Sequence, residues 1–133
     1  MGSEMCIRDR VAILAVLQFI FFGFMTGQAR SKSGLKAPAT SGAESFERMY
    51  RVQTNTMETL VAFLPSLLIA GKYWSPLLVS AIGLLYIIGR FIYWQAYTKD
   101  PSKRGLGFMV SLFPTIALAL LSVIGVLMAI VKA

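Results

Sequence analysis

Histidine is absent from this 133-residue chain, and cysteine occurs only once, at position 6. A single cysteine cannot form an internal disulfide, and without histidine a Cys/His zinc cluster is excluded. We therefore expect no metal cofactor. Charge is also scarce: 14% of the residues are charged, whereas soluble domains carry about a quarter. Together with a hydrophobic content of 56%, this composition predicts a membrane protein.

Four apolar stretches predict an all-α fold, an integral membrane four-helix bundle with up-and-down topology. They cover residues 11–27, 52–71, 76–97 and 106–131. A helix needs about 20 predominantly apolar residues to cross the hydrocarbon core of a bilayer. The Asp100-Pro101 pair is expected to end the third span, because the residue before a proline resists the helical conformation.

The first ten residues resemble translated read-through of a sequencing adaptor: they read MGSEMCIRDR. We interpret residues 1–10 as a non-native leader and expect no function from them. Residues 11–133 are predicted to form a single four-helix membrane domain.

Basic residues outnumber acidic ones, 13 to 6, which gives a formal charge of +7. The cations lie in loops beside the apolar stretches, so we interpret them as signals of membrane orientation and expect no nucleic-acid partner. Loops one and three carry eight of them: Arg30, Lys32, Lys36, Arg48, Arg51, Lys99, Lys103 and Arg104. The termini and the second loop carry four: Arg8, Arg10, Lys72 and Lys132. Loops one and three are therefore predicted to be cytoplasmic, with both termini outside.

Two polar stripes follow the second and third predicted helices. Separations of three, four and three residues place one set on a single helical face: Arg48, Arg51, Asn55 and Glu58. Separations of four, three and four do the same for a second set: Tyr86, Arg90, Tyr93 and Tyr97. An arginine at the centre of a span costs at least about 2.5–3.5 kcal/mol, so buried ionic groups need partners.

The stripes have two interpretations. In the structural one, Glu58 and Arg90 form a salt bridge and the other polar groups lie in the headgroup region. In the other, the stripes line a polar pocket within the membrane. Arginines, a carboxylate and an amide suit a ligand with carboxylates, an ammonium group and peptide amides, and glutathione is such a ligand. The residues alone leave both interpretations open and do not name the ligand.

Two motifs resemble the MAPEG family, the membrane-associated proteins of eicosanoid and glutathione metabolism: FERMYRVQTNTMETLVAFLP and GRFIYWQAYTKDPSKRGLGF. They carry Phe-Glu-Arg, then Arg-x-Gln-x-Asn-x-x-Glu, and later Arg-x-x-Tyr-x-Gln-x-Tyr, as in the microsomal glutathione transferase and leukotriene synthase branches. The resemblance implies a homotrimer of four-helix protomers in membrane lipid. It also implies glutathione as co-substrate, bound between neighbouring subunits near the cytosolic face.

The resemblance further implies roles for individual residues. Arg104 matches the arginine that activates the glutathione thiol. The implied glutathione-binding residues are Arg51, Asn55, Glu58 and Tyr93 from one subunit, with Tyr97 lining the same pocket, and Arg30 and Gln53 from the adjoining subunit. The thiolate would attack a lipophilic electrophile or a lipid hydroperoxide. The chain is thus predicted to be a glutathione transferase, with possible glutathione peroxidase activity.

Three positions depart from the leukotriene synthase pattern. Ser31 replaces a second arginine, Thr59 replaces an aromatic residue, and Gln-Gly-Tyr has become Gln-Ala-Tyr at 95–97. These departures favour a broad-specificity bacterial member of the inner membrane. Two other interpretations stay open: Arg104 as a loop cation that only sets topology, and the protein as a non-catalytic lipid-binding scaffold. A transporter fits least, because the chain shows no inverted repeat or pair of broken helices.

Overall fold

The computed structural model describes the backbone of residues 2–132 and the side chains of residues 7–132. Four α-helices make up most of this range: α1, Gly2–Ser33; α2, Glu44–Tyr73; α3, Pro76–Lys99; and α4, Gly105–Lys132. A short 3-10 turn, Pro101–Lys103, joins α3 to α4. The part of the chain that the structure describes contains no strand. The predicted all-α fold is therefore confirmed.

Two helices extend beyond the predicted apolar stretches. α1 begins at Gly2 and so includes residues of the proposed leader. α2 begins at Glu44, well before its apolar run, because its first turns are amphipathic and bury Phe46, Met49 and Val52. The polar first half of α2 therefore continues the helix from the apolar core toward the first loop.

Within the described residues, three segments are long and apolar enough to cross a membrane: Ile7–Ser33, Pro76–Lys99 and Pro101–Lys132. α2 has the length, at 30 residues, but its polar stripe makes it less hydrophobic than the others. It packs against α1, α3 and α4, so much of its surface faces protein. α3 ends at Lys99 with Asp100 as its cap, as the Asp100-Pro101 pair predicts.

Contacts between the helices show the predicted up-and-down arrangement. α2 runs antiparallel to α3: Asn55 bonds Arg90 near one end, while the rings of Phe63 and Tyr86 stack at 3.9 Å deeper in the bundle. α1 runs parallel to α3, and α4 runs antiparallel to α3. The ends of α1 and α3 and the beginnings of α2 and α4 consequently meet at one end of the bundle.

Two glycines bring α3 and α4 into backbone contact. A Cβ atom at Gly89 would lie 2.5 Å from the backbone nitrogen of Ser111, and one at Gly107 would overlap the backbone of Tyr93. No side chain fits at either position without separating the helices. The glycines therefore fix Tyr93 relative to the beginning of α4, where the candidate site lies.

Candidate functional site

A cavity of about 720 Å³ opens between α2, α3, α4 and the turn that joins α3 to α4. Small-molecule sites in proteins have volumes of roughly 300–1,000 Å³. The residues that line it are Arg51, Asn55, Tyr93, Tyr97, Ser102, Arg104, Gly105 and Phe108. Both arginines are exposed, so the cavity is accessible from outside the bundle. It is large enough for a small peptide.

The cavity brings together residues that the sequence predicts for the site. Helical spacing explains why: Arg51 and Asn55 are one turn apart on α2, and Tyr93 and Tyr97 are one turn apart on α3. Arg104 reaches the same cavity from the start of α4. The side chains thus converge from three helices although they are distant in sequence.

The electrostatics of the cavity favour an anion. The guanidinium groups of Arg51 and Arg104 both line it, and no carboxylate of the described residues does. Gly105, the first residue of α4, also lines it, so the positive end of the α4 helix dipole points toward this region. A ligand with exposed carboxylates, or a developing thiolate, would be stabilised here.

The tyrosines form an aromatic wall. The rings of Tyr93 and Tyr97 stack with centroids 5.4 Å apart and an interplanar angle of 20°. The Arg90 guanidinium carbon lies 4.3 Å from the Tyr93 ring centroid, a distance typical of a cation–π contact. This contact fixes one ring of the wall from the interior of the bundle.

Arg104 is oriented by the turn before it. Its Nη1 donates to the Pro101 carbonyl at 2.9 Å. Asp100 holds that turn, since its Oδ1 accepts from the Ser102 hydroxyl at 2.8 Å and from the Ser102 backbone N–H at 3.1 Å. These hydrogen bonds lower the pKa of Asp100, and the charges of Lys103 and Arg48 lower it further. The other guanidinium nitrogens of Arg104 bond no side chain or carbonyl of the described residues.

The Asp100 turn should persist into mildly acidic solution. Because the pKa of Asp100 is lowered below its ordinary value of 3.8, its stabilisation is complete above that value and is lost only as the pH falls through the lower folded value. Hydrogen exchange at residues 102–104, corrected for intrinsic rates, should show constant protection from pH 7 to about 5. Asp100→Ala should abolish that protection at every pH.

A matched control for this measurement is Ser75→Ala, which removes the side-chain cap of α3 at the opposite end of the bundle. It should leave residues 102–104 unchanged. Protection that falls in the unsubstituted protein between pH 7 and 5, or that survives Asp100→Ala, would show that another group holds the turn.

Three predicted glutathione-binding residues do not line this cavity: Arg30, Gln53 and Glu58. The first two lie on the side of α1. The Gln53 amide packs against α1, where a Cβ on Gly23 would lie 3.2 Å from its Nε2. Arg30 donates to the Ala39 carbonyl at 2.7 Å and lies 4.6 Å from the Phe46 ring centroid. Within one protomer the structure therefore does not bring these two residues to the cavity.

The interpretation of Glu58 and Arg90 as a salt bridge is wrong. Arg90 is fully buried, with 0% of its surface exposed, and donates to Asn55 Oδ1 at 2.8 Å, Thr59 Oγ1 at 3.3 Å and Ser111 Oγ at 3.4 Å. Glu58 is exposed and has no ion pair within the described residues. The reason is helical geometry: residues 55 and 59 are about 40° apart around α2, whereas residue 58 lies about 60° beyond residue 55 and about 100° from residue 59.

Arg48, another member of the predicted stripe, caps α3 instead of lining the cavity. Its Nη1 donates to the carbonyls of Thr98 and Lys99, each at 3.1 Å, and its Nη2 pairs with Glu44. A cation at the carboxyl end of a helix is favoured by the helix dipole. Arg48 therefore stabilises the end of α3 from which the Asp100 turn departs.

Sequence reasoning missed three residues of the cavity: Ser102, Gly105 and Phe108. Proximity to Arg104 was the available signal, since Ser102 and Gly105 flank it in the chain and Phe108 follows one helical turn later. Phe108 adds an apolar surface beside the two arginines, so the cavity has both an ionic and an apolar wall.

The MAPEG family model matches residues 11–124 of this chain. The chain belongs to the MAPEG family. The match covers most of the sequence and includes every residue that lines the cavity. Membership, together with the apolar helices, establishes an integral membrane protein, and it confirms the resemblance found in the two motifs.

Several individual proteins are similar over most of their length. Microsomal glutathione S-transferase 2 of Homo sapiens is 36% identical over 126 residues, which cover 95% of this chain and 86% of that protein. An uncharacterized protein of Synechocystis is 36% identical over 117 residues, which cover 86% of this chain and 85% of that protein. Leukotriene C4 synthase of Bos taurus is 32% identical over 104 residues, which cover 78% of this chain and 69% of that protein. Two of these three relatives are named for transferase or synthase activities.

Proposed function

We propose that this MAPEG protein conjugates glutathione to lipophilic electrophiles, with Arg104 stabilising the reactive thiolate. The observation that carries the proposal is the convergence of Arg51, Asn55, Tyr93, Tyr97 and Arg104 around one cavity. The names of its relatives, glutathione S-transferase and leukotriene C4 synthase, support the same reaction class.

The cavity offers a partner for most groups of glutathione. The Arg51 guanidinium suits a carboxylate, the Asn55 amide suits a peptide carbonyl, and the tyrosine hydroxyls can donate further hydrogen bonds. Arg104 and the beginning of α4 are then available for the sulfur. Phe108 supplies an apolar surface for the electrophile near the same arginine.

One arginine has enough electrostatic strength for this role. A free thiol is only a few per cent ionised near neutral pH, and changing its thiolate-to-thiol ratio about a hundredfold requires roughly 2.7 kcal/mol of differential stabilisation. A cation about 4 Å from the sulfur contributes up to about 4 kcal/mol at an effective dielectric constant near 20. The thiolate then attacks an electrophilic carbon, which forms the C–S bond and expels the leaving group. With a lipid hydroperoxide it would attack the terminal peroxide oxygen, which forms the sulfenic acid of glutathione and releases the lipid alkoxide, protonated to the alcohol. The thiol of a second glutathione would then displace water from the sulfenic acid and form the disulfide.

The exposure of Glu58 supports an assembly in which neighbouring subunits complete the site. A carboxylate that faces lipid within a span is costly, so Glu58 on the outer face of α2 needs a polar partner from outside the protomer. We propose a homotrimer in which Glu58 binds the ammonium group of glutathione, and in which Arg30 and Gln53 of the adjoining subunit reach the same molecule. Loops one and three, and hence the cavity mouth, would face the cytoplasm of a bacterial inner membrane, with both termini outside.

Turnover by the purified protein tests the proposed activity. In detergent, the protein should convert glutathione and chlorodinitrobenzene to the thioether with release of chloride, and should bind glutathione by titration calorimetry in the absence of electrophile. Lipid hydroperoxide reduction, measured separately, decides whether peroxidase activity accompanies the transfer. Binding of lipid without turnover of any electrophile in a broad panel would instead support a non-catalytic scaffold.

Glu58→Gln should raise the Kd for glutathione about tenfold, because an ammonium–carboxylate hydrogen bond contributes roughly 1.5–3 kcal/mol. Thermal stability should not change, since Glu58 has no ion pair among the described residues. The Kd is measured by calorimetry and the stability by a melting curve in the same detergent.

Glu47→Gln is the matched control, because Glu47 is also exposed and lies about 20° away around α2, three turns closer to the first loop. It should leave the Kd within about twofold, since an isolated exposed charge contributes little. Equal effects of the two substitutions, or a lowered melting temperature without a change in Kd for Glu58→Gln, would remove Glu58 from the binding site.

A further inference from the structure

The buried Arg90 lies behind the cavity and has no acidic partner among the described residues. Its guanidinium spans α2, α3 and α4, with bonds to Asn55 and Thr59 on α2 and to Ser111 on α4, and it lies beneath the Tyr93 ring. An unpaired buried cation is costly, and a well-packed apolar side chain would close the bundle at lower cost. Stability therefore does not explain why a buried arginine with neutral partners occupies this position.

The partner that connects Arg90 to the cavity is Asn55. Its Oδ1 accepts from Arg90 Nη2 at 2.8 Å, the shortest of the three bonds that Arg90 donates. An amide whose oxygen is directed toward a guanidinium group directs its NH₂ group, which donates and cannot accept, away from that guanidinium. Since Asn55 also lines the cavity, it presents a hydrogen-bond donor to whatever is bound there.

We propose that Arg90 is a positioning residue that holds the Asn55 amide with its NH₂ group toward the cavity, and so selects an acceptor group on the ligand. This proposal rests on the proposed function, which identifies the ligand as glutathione. The carbonyl and carboxylate oxygens of glutathione are such acceptors. Without Arg90, the Asn55 amide can rotate about its last bond and present either its oxygen or its nitrogen. The neutrality of Asn55 has a role here, because an aspartate would satisfy Arg90 but repel an anionic ligand.

The test is a double-mutant cycle on glutathione affinity. Arg90→Met removes the donor while filling a similar volume, and replacing a buried ionic group by an apolar one often leaves stability unchanged or raises it. Arg90→Met should raise the Kd for glutathione about tenfold, which corresponds to the loss of one oriented hydrogen bond. Asn55→Ala should have a similar effect. If Arg90 acts through Asn55, the double variant should bind no more than about threefold more weakly than either single variant, because effects within one unit are not additive.

Ser111→Ala is the matched control, since it removes another of Arg90's bonds but leaves the Asn55 bond in place. Its Kd should stay within about threefold of the original, as expected for one long neutral bond. Arg90→Lys keeps the charge, but a single ammonium cannot reproduce the fork of donors, so its Kd should lie between those of the original protein and Arg90→Met.

Two results would overturn the inference. One is an Arg90→Met protein that binds glutathione as before, at any melting temperature; the other is a double variant weakened about a hundredfold, which independent effects would produce. The proposed function has its own readout in this experiment, because it fails if the unsubstituted protein shows no glutathione binding or turnover. A folded Arg90→Met variant is recognised by its trimer peak on size-exclusion chromatography and a cooperative melt. If it does not fold, the Arg90→Lys Kd decides: a value equal to the original rejects the proposal.

Discussion

Arg104→Ala is expected to lower the rate of glutathione conjugation about twenty- to thirtyfold at neutral pH, because losing roughly 2.7 kcal/mol of thiolate stabilisation returns a largely ionised thiol to a few per cent thiolate. The Kd for glutathione should change much less, because Arg51 and Asn55 would still hold the remainder of the tripeptide. The rate of the variant should recover as the pH is raised, since hydroxide then removes the proton that Arg104 no longer displaces. Initial rates at saturating glutathione from pH 6 to 9 measure all three effects.

Lys103→Ala is the matched control for Arg104→Ala. Lys103 is the adjacent cation in the same exposed turn, but it does not line the cavity. Its removal should change the rate by less than about threefold, as expected for a distant, solvent-screened charge. Equal losses in the two variants would mean that the loop acts only through its net charge, and full activity of Arg104→Ala would remove this residue from the mechanism.

Gly107→Ala should produce the largest loss of stability, because the new methyl group would overlap the backbone of Tyr93. Overpacking a rigid contact costs typically 1–3 kcal/mol, and here a backbone must move instead of a flexible side chain. The melting temperature in detergent should fall, and the folded fraction should lose activity, since separating α3 from α4 moves Tyr93 away from Arg104. A melting curve and a specific-activity measurement on the folded fraction from size-exclusion chromatography test both effects.

Gly27→Ala separates this close packing from the general effect of adding a methyl group. A Cβ at Gly27 would meet no atom within 4 Å, and alanine favours a helix over glycine by roughly 0.5–1 kcal/mol. The control should therefore melt at the same temperature or slightly higher. A stable, active Gly107→Ala variant would show that α3 and α4 are less closely packed than the structure indicates.

The sequence predicts most of the site because helical spacing is regular. Arg51 and Asn55, and likewise Tyr93 and Tyr97, are four residues apart, so each pair must share a helical face wherever the helices pack. Helical spacing does not determine which helix faces pack against each other, but the need to bury polar groups away from lipid restricts the possible packings. Helical spacing alone could not assign Arg104 to the same cavity, and that prediction came from the motif around it.

The predicted salt bridge between Glu58 and Arg90 was wrong because it assumed that a buried charge needs an oppositely charged partner. Opposite charge favoured Glu58 as the partner of Arg90, but Glu58 lies about 100° around α2 from Thr59 and about 60° from Asn55, the two α2 residues that Arg90 contacts. Three neutral oxygens on two helices accept hydrogen bonds from Arg90 instead, and neutral acceptors leave no distinctive pattern in a sequence. The apolar stretch at residues 52–71 covers only part of α2, since the amphipathic first turns of this helix, from Glu44, lack the apolar run that marks a span.

The most direct test of the central claim is a structure of the protein with glutathione bound, determined by cryo-electron microscopy in lipid nanodiscs. We predict density for the tripeptide in the cavity between α2, α3 and α4, with its sulfur about 4 Å from the Arg104 guanidinium group, as thiolate stabilisation requires. A carboxylate of the tripeptide should contact Arg51, and one of its peptide carbonyls should contact the Asn55 amide. Glutathione bound at another surface, or in this cavity with its sulfur directed away from Arg104, would contradict the account.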